Sequence, residues 1–154
     1  MVTKLFASRT SDAIDIDADA DLVWSVYSDV VAWPTWTASA TSVELSPSGP
    51  LAVGSRAQIK QPRLPRVEWN VTALEPGREW VWENKAPGAT SVAAHSVVAS
   101  GEGRAHVELW IDQRGIVGRA IGVLVRRMTR RYLRMEAEGL KRRCESLARE
   151  RNAT

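Results

Sequence analysis

The hydrophobic period of this sequence changes once, after Gly115, and that change limits what the chain can become. Up to that point, segments of strand character are separated by turn residues at roughly ten-residue spacing, the pattern of an antiparallel meander. Beyond it, Val117, Ile121, Leu124, Met128 and Tyr132, then Leu133, Ala137, Leu140, Cys144 and Leu147, recur at helical spacing with charges on the opposite side. A helix of about thirty residues needs a broad apolar partner, and the meander is the only one the chain offers.

The strands are expected at Ser8–Asp17, Thr41–Leu45, Arg56–Gln61, Arg66–Leu74, Glu79–Asn84, Thr90–Ala99 and Arg104–Gln113. Ser46-Pro-Ser-Gly-Pro50, Gly54, Glu75-Pro-Gly77, Ala86-Pro-Gly88 and Ser100-Gly-Glu-Gly103 supply the turns between them. Between the first two strands, Asp19 or Asp21 is expected to cap one short helix and Asp29 a second. The second should falter near Trp33 because Pro34 follows. The fold class is therefore α+β: a seven-stranded curved antiparallel sheet, two short helices after the first strand, and a long C-terminal helix across the sheet.

At 154 residues the chain is expected to form a single domain, residues 1–154. Its N-terminus lacks the apolar core of a signal peptide, and no window approaches the ~18 apolar residues of a membrane span. The single cysteine, Cys144, cannot form an internal disulfide and fits a reducing, cytoplasmic location. One cysteine and two separate histidines give no metal-ligand spacing, and no phosphate-binding glycine motif is present, so no cofactor is expected. The formal charge of +3 divides into −5 for residues 1–113 and +8 for residues 114–154.

The order of motifs resembles the helix-grip superfamily, which includes START lipid-transfer domains, the birch-pollen allergen group and the bacterial polyketide cyclase/dehydrase-like SRPBCC proteins. The resemblance rests on Ile14-Asp-Ile-Asp17, Ala20-Asp-Leu-Val-Trp24, Asp29 leading to Trp33-Pro-Thr-Trp36, Val53-Gly54, Glu75-Pro-Gly77, and Tyr132-Leu-Arg-Met-Glu136 followed by Gly139-Leu-Lys141. It spans nearly the whole chain. It implies a hydrophobic cavity between sheet and helix and a lipid, polyketide-like or other small apolar ligand. The glycine-rich loop of the allergen branch has no match in Ser48–Gly54, and no catalytic set of the aromatase/cyclases maps onto this sequence.

Seven tryptophans stand against a single phenylalanine. Packing explains most of them; a stacking wall for a planar ligand is the sharper reading for Trp36, Trp69 and Trp82. Trp36, Ile59, Trp69, Trp82, His95, Leu109, Ile121, Leu124, Met128 and Tyr132 are the expected ligand-lining residues. His95 shares strand parity with Ala93 and Val97, so it can face the cavity and serve as a catalytic proton-transfer group or as a structural histidine. His106 shares parity with Glu108 and Asp112 and should face solvent. Glu68 does the same beside Asn70 and Thr72. Glu83 and Arg56 are further strand residues with acid/base potential, surface ion pairs being their default.

Three functions follow in order. The first is binding of a small hydrophobic or aromatic molecule, and the second is cyclisation or dehydration of such a molecule. The third is docking on RNA or an anionic surface through the ridge of Arg127, Arg130, Arg131 and Arg134. The basic helix lacks interleaved aromatics, which disfavours nucleic acid. A tryptophan on the convex sheet face leaves room for a homodimer contact.

Overall fold

The computed structural model describes residues 7–154, so the reading of Met1–Phe6 falls outside the described residues. β1 (Ala7–Ile16) is followed by α1 (Ala20–Ser28) and a 3-10 helix (Val30–Thr35). The meander continues with β2 (Ser42–Ser46), β3 (Arg56–Lys60), β4 (Val67–Glu75), β5 (Glu79–Ala86), β6 (Ala89–Gly101) and β7 (Arg104–Arg114). α2 (Ile116–Leu124) and α3 (Arg126–Asn152) close the chain. The sheet has seven antiparallel strands in the order β1-β7-β6-β5-β4-β3-β2, which with α3 gives the helix-grip arrangement.

Local chemistry explains the turns. Between β4 and β5, Arg78 N–H donates to the Glu75 carbonyl at 3.0 Å, with Pro76 and Gly77 between them. Proline fixes φ at the first central position, and Gly77 takes φ +79° at the second, where a side chain would be strained. In β1 the alternation expected from sequence is present: Ser8, Thr10 and Ile16 are buried, whereas Arg9, Ser11 and Asp15 are exposed.

The core is one apolar layer between the concave sheet face and the helices. Ile16, Val97 and Val107 meet Val23, Tyr27 and Val30 from the entry helices and Leu140 and Cys144 from α3, all essentially sealed from water. Each fully buried aliphatic side chain contributes about 1.5–3 kcal/mol. α3 packs chiefly on β1 and α1 and touches β7 less. No helix among the described residues is long and apolar enough to cross a membrane.

Three local expectations need correction. The 3-10 helix does not stop before Pro34 but contains it: Ala32 N–H bonds the Asp29 carbonyl before the proline, and Trp36 and Thr37 N–H both bond the Trp33 carbonyl after it. Asp19 and Asp29 stand at the helix starts, yet neither side chain makes a capping bond. The long C-terminal helix is present as α3, but the first part of the expected stripe forms the separate helix α2, with a break at Val125 (φ −99°, ψ 9°). Gly118 and Gly122 seat α2 closely on the ends of β6, β7 and β1, against Ala89, Gln113 and Ser8, while α3 packs along β1 and α1.

Candidate functional site

Strand register assembles one wall of the site. Val43 pairs with Ile59, Ala57 with Trp69, and Val71 with Trp82. Trp82 pairs with Ala93, Trp80 with His95, and His95 with Leu109. Paired residues share a sheet face, so Ile59, Trp69, Trp80, Trp82, His95 and Leu109 line one surface, the concave one turned toward α3. The strand spacing of two is what makes Trp80 and Trp82 neighbours there, with ring centroids 5.8 Å apart.

The facing wall comes from the entry helices and α3. Gly139 lets α3 approach the end of the 3-10 helix: a Cβ built there would lie 2.4 Å from the Trp36 carbonyl oxygen. That close passage brings Glu136, nearly one helical turn earlier, over the aromatic cluster of α1 and the 3-10 helix. The Tyr27 hydroxyl lies 2.7 Å from Glu136 Oε1 and donates to it. His95 Nε2 lies 3.5 Å from the same oxygen. Behind them, the His95 ring stacks on Trp80 at 4.3 Å with 11° between planes. Trp33 and Trp82 flank the imidazole at 5.7 and 5.1 Å.

Burial dominates the electrostatics. It pushes Glu136 up to about 7, against the Tyr27 hydrogen bond that pulls it down. It pushes His95 down to about 3. Tyr27 is raised well above its ordinary value by burial and then by the Glu136 charge. Near neutral pH the site therefore holds a neutral imidazole beside a carboxyl that is partly protonated. The cluster also contains polar atoms with nothing to bond: Trp36 Nε1, Trp80 Nε1 and His95 Nδ1 are buried without a hydrogen-bond partner among the described residues.

Of the residues expected to line a ligand, Ile59, Trp82, His95 and Leu109 are buried on the concave face. Trp36, Trp69, Met128 and Tyr132 are half-buried, and the Tyr132 hydroxyl donates to the Pro62 carbonyl, tying α3 to the β3–β4 loop. Ile121 and Leu124 do not belong with them. They are 44% and 83% exposed, because α2 turns its glycines inward and its large side chains outward. Tyr27, Trp33, Trp80 and Glu136 surround His95 in the same cluster and were not among the residues expected there. The available signal was Glu136 itself, an acid four residues from both Tyr132 and Leu140 on an otherwise apolar stripe.

Other candidates lie elsewhere. His106 faces outward between Asp15 (2.8 Å) and Glu108 (3.3 Å). Glu68 and Glu83 border a shallow convex-face hollow of about 300 Å³ with Asn70, Thr72 and Lys85, and Arg56 pairs with Asn70 on that face. Trp110 is also convex, with the Arg9 guanidinium 3.9 Å above its ring. A larger cleft, about 500 Å³, opens between Trp24, Val30 and Val31 of the entry helices and Leu45, Leu51 and Leu74; Leu45 and Leu74 pair with Ala57 and Trp80, so they belong to the same concave face. Its polar side-chain groups are Ser28, Asp29 and the indole N–H of Trp24.

Solved structures share this architecture. Norcoclaurine synthase of Thalictrum flavum, solved with dopamine and hydroxybenzaldehyde, is 13% identical with a TM-score of 0.68, over 92% of this chain and 90% of that one. A hypothetical protein of Helicobacter pylori reaches a TM-score of 0.74 at 16% identity, over 89% and 88%. Major latex-like protein 151 of Panax ginseng gives 0.69 at 11% identity, over 90% and 98%. Identities this low establish the fold alone. No curated protein sequence matches at a significant level. The family model described as "Polyketide cyclase / dehydrase and lipid transport" matches residues 8–145. With nine-tenths of its length covered by that model, the chain belongs to the polyketide cyclase/dehydrase and lipid-transport family.

Proposed function

We propose that the protein binds a small hydrophobic or aromatic molecule on the concave face, between β4–β6 and α3. The observation that carries this reading is the set of buried, unpartnered polar atoms in an aromatic wall: Trp36 Nε1, Trp80 Nε1 and His95 Nδ1. An apolar surface with a few convergent polar groups is what a small-molecule site requires, and a buried polar atom left unpaired costs about 1–3 kcal/mol. Half-buried Trp69, Met128 and Tyr132 supply apolar contact area at its margin. The cleft beside Val31 is the competing location, with Ser28, Asp29 and the Trp24 indole N–H to orient a ligand; the concave wall around His95 is preferred because its unpartnered polar atoms are buried.

A second reading, dehydration or cyclisation, is favoured by the Glu136–His95 pair. Glu136, held up to about 7 by burial, can give a proton to a leaving hydroxyl. The unpartnered His95 Nδ1 can accept one from the adjacent carbon, so that water and a double bond result. His95 Nε2, 3.5 Å from the Glu136 carboxylate, then returns a proton to it. Burial holds His95 neutral at the start of this step, and its imidazolium, disfavoured by the same burial, passes its proton on readily. Family membership supports both readings.

Tryptophan fluorescence titration with polyketide-like, isoprenoid and fatty-acyl compounds, followed by mass spectrometry of the recovered ligand, tests them. Trp69→Ala should weaken binding about tenfold through lost stacking area, and Val31→Asp should leave it unchanged. The reverse pattern would move the ligand to the cleft beside Val31. A ligand returned at its original mass supports a binding protein; one lighter by a water supports catalysis.

A further inference from the structure

α2 buries its smallest residues and exposes its largest. Its buried residues are Gly118 and Gly122. A Cβ at Gly122 would lie 2.9 Å from Gln113 Cβ and 3.0 Å from Ser8 Cβ, so the helix lies flat on the ends of β1 and β7. On the other side, Ile116 is 78% exposed, Val123 55% and Leu124 83%, with Val117 and Ile121 about half exposed. Five of the eight large exposed hydrophobics among the described residues therefore sit on this nine-residue helix. Scattered exposed apolar side chains are ordinary; a contiguous group like this marks a contact surface.

The same region is strongly cationic. From Arg114 to Arg134 there are seven arginines and no aspartate or glutamate. Arg127, Arg130 and Arg131 are exposed at the start of α3. The break at Val125 keeps the two helices in phase, since Val125 N–H still bonds the Ile121 carbonyl and Thr129 N–H bonds that of Val125. Steps of four and three residues then align Ile116, Ala120, Leu124, Arg127 and Arg131 on the side away from the two glycines.

We propose that this face docks on an anionic lipid bilayer, with α2 lying in the interfacial plane. Its aliphatic side chains would enter the acyl boundary while Arg127, Arg130 and Arg131 meet the anionic headgroups. Apolar residues joined to a cationic row are the two components of interfacial binding, and neither suffices alone. A second copy docking through the same face would set one arginine row against another. RNA would leave the aliphatic side chains without a role, and the one aromatic in the region, Tyr132, has its hydroxyl held by Pro62.

The test is sedimentation of the full chain, without added ligand, with phosphatidylcholine vesicles and with vesicles in which roughly a third of the lipid is phosphatidylserine. Binding to the anionic vesicles is expected to be at least about tenfold tighter and to weaken with salt. The exposed double variant Ile116→Ser/Leu124→Ser should lose about tenfold or more with unchanged circular dichroism and melting, as should Arg127→Glu/Arg131→Glu. No vesicle binding by the parent chain overturns the proposal. So does binding that resists the serine changes and vanishes only with the arginines, which marks a polyanion or acidic-protein contact. A concentration-dependent dimer abolished by the serine changes, without vesicle binding, assigns the face to a second copy.

Discussion

The Tyr27 hydroxyl donates to Glu136 Oε1 across 2.7 Å, joining α1 to the middle of α3 inside the core. Removing that hydroxyl strands a buried carboxyl without its donor. Tyr27→Phe should therefore lower stability by about 1–3 kcal/mol in urea denaturation. It should also raise Glu136 further, since this hydrogen bond is what pulls it down. A variant as stable as the parent would show that the bond is replaced, for instance by water.

The Glu136–His95 pair makes a distinctive pH profile. Glu136 sits near 7 in the fold against an ordinary 4.5, so between those values the folded chain holds a proton the unfolded chain has released. Its stabilising contribution is full below pH 4.5 and is lost as pH rises through about 7. His95, near 3 against 6.5, does the opposite: stability increases with pH from about 3 to 6.5. The two slopes cancel where they overlap, and stability should be nearly flat there. Glu136→Gln should expose the histidine slope, a gain of about 1.4 kcal/mol per pH unit up to pH 6.5, and His95→Gln should expose the carboxyl slope with the opposite sign. Denaturation series from pH 4.5 to 7 distinguish these signs directly.

Gly139→Ala should be destabilising although alanine is the better helix former. The new methyl would meet the Trp36 carbonyl oxygen at 2.4 Å and Thr37 Cβ at 3.2 Å. The overlap outweighs the gain of about 1 kcal/mol in helix propensity, for a net loss of about 1–3 kcal/mol. Thermal melting gives the sign; a rise in Tm would mean that α3 can shift outward without cost.

Cys144 should resist thiol reagents in the native protein. It is fully buried, and burial is the main cause holding its thiol up to about 12. Thiolate is the reactive form, so labelling should appear only when the chain unfolds. Prompt labelling of the folded protein would contradict the packing of α3.

The meander was legible in the sequence because each turn carries its own chemistry, as Pro76-Gly77 does, and each strand its own alternation. Parity showed that Trp80 and Trp82 share a face and that His95 goes with Ala93 and Val97; which of those faces is concave came only with the strand register. What could not be read was helix phase against a partner. Glu136 stands four residues from Tyr132 and from Leu140 in the sequence, but its burial depends on how closely Gly139 lets α3 pass the Trp36 carbonyl. Ile121 and Leu124 fit the apolar stripe by spacing, but Gly118 and Gly122 turned that stripe outward. Glycine records close approach in a sequence without saying to what.

The sheet order has a consequence for how the chain acquires its structure. β1 occupies one edge, and its sole sheet neighbour is β7, the last strand to be synthesised. Ala7 cannot meet Arg114 until about a hundred further residues exist. The Tyr27–Glu136 contact spans 109 positions. A nascent chain released before β7 has no means of completing either link, so N-terminal fragments should stay unfolded. Refolding of the whole chain should be a single event dominated by distant contacts, on the millisecond-to-second scale of high-contact-order domains.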